Sequence, residues 1–241
     1  MFYEQKDLEE ETNDKYLIST SILDSDNDAV KRFAEDATGN AVDPVEVAVK
    51  LYYAVRDKIW YDPYYPFYLH EHYRASNTLM SRRGFCIPKA ALLCAVGRAK
   101  GIPTRIGFAN VRNHLATKQL LEYMGTDIFA YHGFTEFYLE GKWVRATPAF
   151  NKELCHRHNV APLEFNGRED SIFHTYNNEN KPFMEYIEYL GTYEDVPVDV
   201  ILDGWVKVYG MNHIKVRIEE FEKGKESRPA RNFDKEDIVG L

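Results

Sequence analysis

An α+β fold, in which a helix that begins with a cysteine packs on an antiparallel sheet, is predicted by three stretches of this 241-residue chain. The first is Gly84-Phe85-Cys86-Ile87-Pro88. Pro88 is tolerated only in a first helical turn, and Ala90, Ala91, Leu93, Cys94 and Gly97 recur at helical spacing until Gly101-Ile102-Pro103 stops the run. The second is Asp43-Pro44-Val45-Glu46: an Asp N-cap, Pro at the first helical position and Glu at the third. Val45, Ala48, Val49, Tyr52, Val55 and Ile59 then hold one apolar face through about Trp60. The third is a strand over 103–110 and a hairpin over 132–148, both rich in residues that favour a pleated surface.

In chain order, residues 4–14 are acidic and read as a solvated arm, and 16–22 as a short strand. Asp26 or Asp28 caps a helix over 29–34 that Thr38-Gly39-Asn40 ends. After the Asp43 helix, residues 60–68 form an aromatic, proline-rich loop, either a satellite core or the rim of a groove, and Tyr64 is its candidate substrate contact. Residues 76–80 suit a capped helical turn leading into Gly84. An insertion at 110–131 carries Asn110, Arg112, Asn113 and His114 beyond the strand end, as a solvated turn or as substrate contacts. Further on, 166–170 is a turn, 183–189 a strand and 198–209 a helix containing Trp205, while 219–241 is charged and expected to pack poorly. With no repeat and no break in composition, residues 1–241 read as a single domain: a core of about 44–151, an N-terminal arm and a C-terminal extension.

A thiol at a helix N-terminus meets unpaired N–H groups and the positive end of the helix dipole, which favour thiolate, and Arg82, Arg83 and Lys89 add charge nearby in sequence. Cys86 is therefore the candidate nucleophile and Cys94, two turns along, a buried inert control. In the hairpin, a turn at Glu140-Gly141 would set Leu139 opposite Lys142, Phe134 opposite Thr147 and His132 opposite Ala149; a turn at Gly141-Lys142 would shift the pairing. Either way His132 and Thr147 share a face.

Gly-x-Cys at a helix start, the exit Arg98-Ala99-Lys100-Gly101-Ile102-Pro103-Thr104-Arg105, and a histidine opening a hairpin that returns through Gly-x-Trp-Val-x-x-x-Pro together resemble the transglutaminase-like superfamily over roughly residues 74–151. The resemblance implies a papain-like fold and cysteine-nucleophile acyl transfer on amide or ester bonds of a peptide or protein, through a thioester, by a protease, amidase or transglutaminase. It implies Cys86 as nucleophile, His132 as base and Thr147 as the residue that orients the ring, where the family usually has aspartate. A threonine hydroxyl can accept the imidazole N–H but brings no charge to stabilise imidazolium. His114 is the runner-up for the base and Asn151 for the orienting group. The alternative is a catalytically inactive domain that kept a groove and binds peptide or protein.

Net charge of −8 with scattered Lys and Arg argues against a nucleic-acid partner. Three cysteines cannot all pair, which suits a reducing compartment, and the acidic N-terminus has no signal-peptide pattern; a cytoplasmic location is expected. No stretch has the apolar length of a membrane span. Cys155-His156-Arg157-His158 and His70-Glu71-His72 have ligand types without a second spaced cluster, and no Asp-x-Asp-x-Asp-Gly loop occurs, so neither metal nor other cofactor is expected.

Overall fold

A computed structural model describes residues 13–224 together with Phe233 and Glu236; of the expected arm over 4–14, residues 4–12 lie outside the described residues. Residues 16–22 form turns rather than a strand. Their carbonyls are taken elsewhere, Tyr16 O by the Thr104 N–H at 3.1 Å and Ile18 O by Arg98 Nη1 at 2.6 Å. Helix α1 spans Asp28–Thr38 and is capped by Asn27, which accepts the Ala29 N–H at 2.9 Å; the cap falls between the two expected aspartates. Helix α2, Pro44–Lys58, begins as its sequence dictates, with the Asp43 carboxylate accepting the Glu46 N–H at 3.0 Å.

Strands β1 (Trp60–Tyr61) and β2 (Arg83–Gly84) pair in parallel and aim the chain at the next helix. Between them α3, Ala75–Ser81, lacks a cap from its own N-cap residue; Asp24 accepts the Ser76 N–H instead, at 3.0 Å. Helix α4 runs Cys86–Ala99 and is buried without interruption from Ile87 to Arg98; it is apolar apart from Lys89 and Arg98, whose charged ends donate to backbone carbonyls. It lies between α1–α3 and the sheet. The approach is close enough that a Cβ at Gly97 would stand 2.6 Å from Thr104 Cγ2 and 2.8 Å from the Phe137 ring.

The sheet is antiparallel in the order β5-β4-β3-β6: β3 is Thr104–Asn113, β4 Ile128–Leu139, β5 Lys142–Ala146 and β6 Met184–Tyr193. The hairpin turns on Glu140 and Gly141, both left-handed with φ of 49° and 82°, and sets Leu139 opposite Lys142. Both β3 and β4 extend into the expected insertion, leaving room for one short helix, α5 (Lys118–Met124), capped by Thr117. Helix α6 (Lys152–Arg157) follows β5.

Helices α7 (Val198–Tyr209) and α8 (Met211–Gly224) return the chain to the sheet. Trp205 Nε1 donates to Ala130 O at 2.9 Å, and the Tyr209 hydroxyl accepts the Ala130 N–H at 2.7 Å. The charged C-terminal stretch is better packed than expected where it is described. Residues 219–224 are helical, Phe233 is buried against Tyr61, Tyr64 and His158, and Glu236 accepts the hydroxyls of Tyr64 at 2.8 Å and Thr117 at 2.6 Å. Among the described residues no helix is long and apolar enough to cross a membrane.

Candidate active site

Two neighbouring elements build the site. Cys86 is the first residue of α4, and its N-cap, Phe85, offers no side-chain acceptor to the first-turn N–H groups. Those of Cys86 and Ile87 point instead toward the Cys86 sulfur, joined by the N–H of Gly133 from β4. Gly133 allows this approach because a Cβ there would lie 3.0 Å from Ile87 Cα. His132 is the next residue back along β4, opposite Ala109, and follows a bulge at which Tyr131 is left-handed with φ of 57°. Cys86 and His132 line one cavity of ≈ 100 Å³.

Burial governs the charge of both groups. The three N–H groups pull the thiol toward thiolate, but loss of water outweighs them and pushes Cys86 up to about 11. Burial alone pushes His132 down to about 3; its ring is 4% exposed, packs on Phe173 at 4.7 Å between centroids, and has no hydrogen-bond partner at Nε2. The resting pair is thus neutral thiol and neutral imidazole at physiological pH. Cys94 is fully buried, with Sγ 3.6 Å from Thr135 Oγ1, and burial pushes it up to about 11 as well.

Residues 31–148 match the family model described as the transglutaminase-like superfamily. Over those residues the chain resembles that superfamily. Two solved structures resemble the chain: a protein provisionally named a cysteine protease, from Cytophaga hutchinsonii (16% identity, TM-score 0.48, covering 77% of this chain), and one provisionally named a protease, from Parabacteroides distasonis ATCC 8503 (20% identity, TM-score 0.37, covering 56%). The chain spans 48% of the first protein's length and 25% of the second's. No curated protein matches it.

At the position where the transglutaminase-like core is expected to orient its histidine, Thr147 is 1% exposed and its Oγ1 has no hydrogen-bond partner, so the expected bond to His132 is not formed here. The Tyr186 hydroxyl stands beside Thr147 and accepts the Phe173 N–H at 3.4 Å, and the Tyr186 ring is 6.4 Å from that of His132. Asn151, the alternative, is committed elsewhere. Its Nδ2 donates to Arg56 O at 2.6 Å and Ile59 O at 2.8 Å, its Oδ1 accepts the Tyr61 N–H at 2.7 Å, and buried Lys89 donates to the same two carbonyls.

Of the four candidate substrate contacts only Asn113 lines the cavity. Asn110 lies on β3, where Oδ1 accepts the Tyr131 N–H at 3.1 Å and Nδ2 donates to Glu188 at 3.0 Å; it pins the bulge beside His132. His114 faces Glu185 at 3.4 Å, and Tyr64 is buried edge-on to Tyr123 with its hydroxyl on Glu236. Among the described residues no group of three or more His, Cys, Asp or Glu could hold a metal ion; His70 faces Asp199 at 3.2 Å and Cys155 is buried.

Sequence reasoning missed the wall opposite the sheet. Trp205, Tyr209, His213, Ile214 and Arg217 line the cavity from α7 and α8, and Gly133 supplies an N–H to the sulfur. A glycine between His132 and Phe134, inside a run of strand formers, was the one readable signal of close backbone approach.

Proposed function

We propose that this chain is a cysteine-nucleophile acyl-transfer enzyme acting on amide or ester bonds of a peptide or protein. Cys86 Sγ attacks the carbonyl carbon as His132 takes the thiol proton. The Cys86 and Ile87 N–H groups bind the oxyanion, the carbon–nitrogen or carbon–oxygen bond breaks, and His132 returns the proton to the leaving amine or alcohol. A second nucleophile, water or an amine, then gives its proton to His132 and attacks the thioester carbonyl; the carbon–sulfur bond breaks and His132 passes that proton to the sulfur, restoring the thiol. The observation that carries the reading is one cavity lined by both Cys86 and His132, with Cys86 at the open N-terminus of α4. No step calls for a metal or a redox partner.

Incubation with a p-nitrophenyl ester followed by intact-mass analysis tests it. A single acyl group should appear on the peptide containing Cys86, vanish in Cys86→Ala and form about 100-fold more slowly in His132→Ala, the scale of a lost general base. Methylamine added to the acylated protein then divides transamidation from hydrolysis. Acylation of Cys94 at the same rate, or none at Cys86, would leave a binding domain without chemistry.

A further inference from the structure

The cavity is apolar almost throughout, yet Arg217 is among its lining residues and no Asp or Glu is. Its walls near the thiol are aromatic, with Phe85 and Trp205 at 6.1 Å and Tyr61 and Phe150 at 4.8 Å between centroids. Arg217 enters from α8, its guanidinium 4.3 Å above the Tyr123 ring. Glu220 accepts from Nη1 at 2.9 Å, and Nε is buried with no hydrogen-bond partner. A buried donor left unpaired costs free energy until an acceptor arrives, and a guanidinium with one corner occupied still presents a fork suited to a carboxylate.

We infer that the cavity takes a substrate with an apolar, aromatic or branched body and a carboxylate, the body packing among the aromatic walls beside Cys86 and the carboxylate bonding to Arg217. The inference rests on the acyl-transfer reading for its reaction but not for its recognition. The same chemistry has two sources: the free C-terminus of a peptide, on the leaving half, or a dicarboxylic acyl group, on the transferred half. The cavity's ≈ 100 Å³ suits the end of a molecule better than the middle of an extended protein chain.

Binding to the full-length Cys86→Ala protein, which cannot form a thioester, separates recognition from chemistry. Two probe pairs are titrated by calorimetry: N-acetylphenylalanine against its amide, and N-phenethylsuccinamic acid against its amide. At least one acid should bind about tenfold more tightly than its amide, the scale of one charge-assisted hydrogen bond. The first pair marks a C-terminal carboxylate, the second an acyl-side one. Adding Arg217→Gln should erase that preference without weakening the amide, and Arg217→Lys should restore part of it. Equal affinity for acid and amide in both pairs, no binding of any probe, or a preference that survives Arg217→Gln would overturn the inference. A preference erased by Arg217→Gln in a protein that forms no acyl adduct would keep the inference and remove only the enzyme reading.

Discussion

On the Cys86 sulfur a helix terminus and a dry cavity pull in opposite directions, and on His132 dryness acts alone. A helix N-terminus contributes about 0.3–1 kcal/mol to a nearby anion. Withdrawal of a thiolate from water costs more, which is why the thiol is raised although the sequence motif favours its ionisation. For His132 the sign can be followed through pH. The unfolded chain takes up a proton near 6.5 and the folded chain only near 3, so stability is full above 6.5 and falls as pH drops between these values. The slope from one such group is at most about 1.4 kcal/mol per pH unit, and His158, pushed down to about 4 by burial, adds to it. His132→Gln should therefore flatten the fall of Tm between pH 6.5 and 4; an unchanged slope would mean that the native ring is protonated in this range. Thr147 gives a second measurement. Thr147 Oγ1 makes no bond to His132 and its polar neighbour is the Tyr186 hydroxyl, so Thr147→Val should change Tm by no more than the worth of one hydrogen bond, about 1 kcal/mol, with Cys86 reactivity unchanged. A loss of both would restore Thr147 as the orienting residue.

The approach of β4 to the first turn of α4 brings the two candidate catalytic residues to one cavity, and it depends on a missing side chain. Gly133→Ala would set a Cβ 3.0 Å from Ile87 Cα and 3.1 Å from Ile87 Cγ1. Backbone cannot yield as a side chain can, so strand and helix must separate. The expected cost is about 1–3 kcal/mol, together with a change in Cys86 alkylation rate as the Gly133 N–H leaves the sulfur; a variant with wild-type Tm and rate would show the contact to be loose. Much at this scale was legible. Asp43-Pro44-Val45-Glu46 encodes its helix start locally, and Glu140-Gly141 sets the hairpin register although glutamate must adopt φ of 49°. Elements whose polar groups are satisfied from afar were not. The Ser76 N–H finds Asp24, Asn151 spends its amide on the end of α2 and on β1, and residues 16–22 lend carbonyls to Thr104 and Arg98. No spacing in the chain marks such pairings.

Across the whole molecule, the cavity is lined by parts of the chain far from the cysteine motif. Helices α7 and α8 bring Trp205, Tyr209 and Ile214 onto it, while Phe233 and Glu236 tie the C-terminal stretch to Tyr61, Tyr64 and Thr117. These contacts were illegible because the residues from Glu219 on are mostly charged, so their few anchoring side chains do not stand out. The cover and the core differ in how they are held. Helix α4 is buried from Ile87 to Arg98 between helices and sheet, whereas β6, α7 and α8 keep many exposed positions, with Tyr186, Ile187, Tyr189, Val208 and Met211 open to solvent. Segments with fewer buried contacts open at lower free energy than the core. Cys86 is half-buried beside the cover and Cys94 fully buried inside the core, which makes the two thiols reporters of two different openings. In increasing sub-denaturing urea the alkylation rate of Cys86 should rise with a shallow dependence, because only the cover's surface is newly exposed. That of Cys94 should follow the full slope of global unfolding. Parallel slopes for the two thiols would mean that cover and core open as one unit, and that substrate must reach Cys86 without moving α7 and α8.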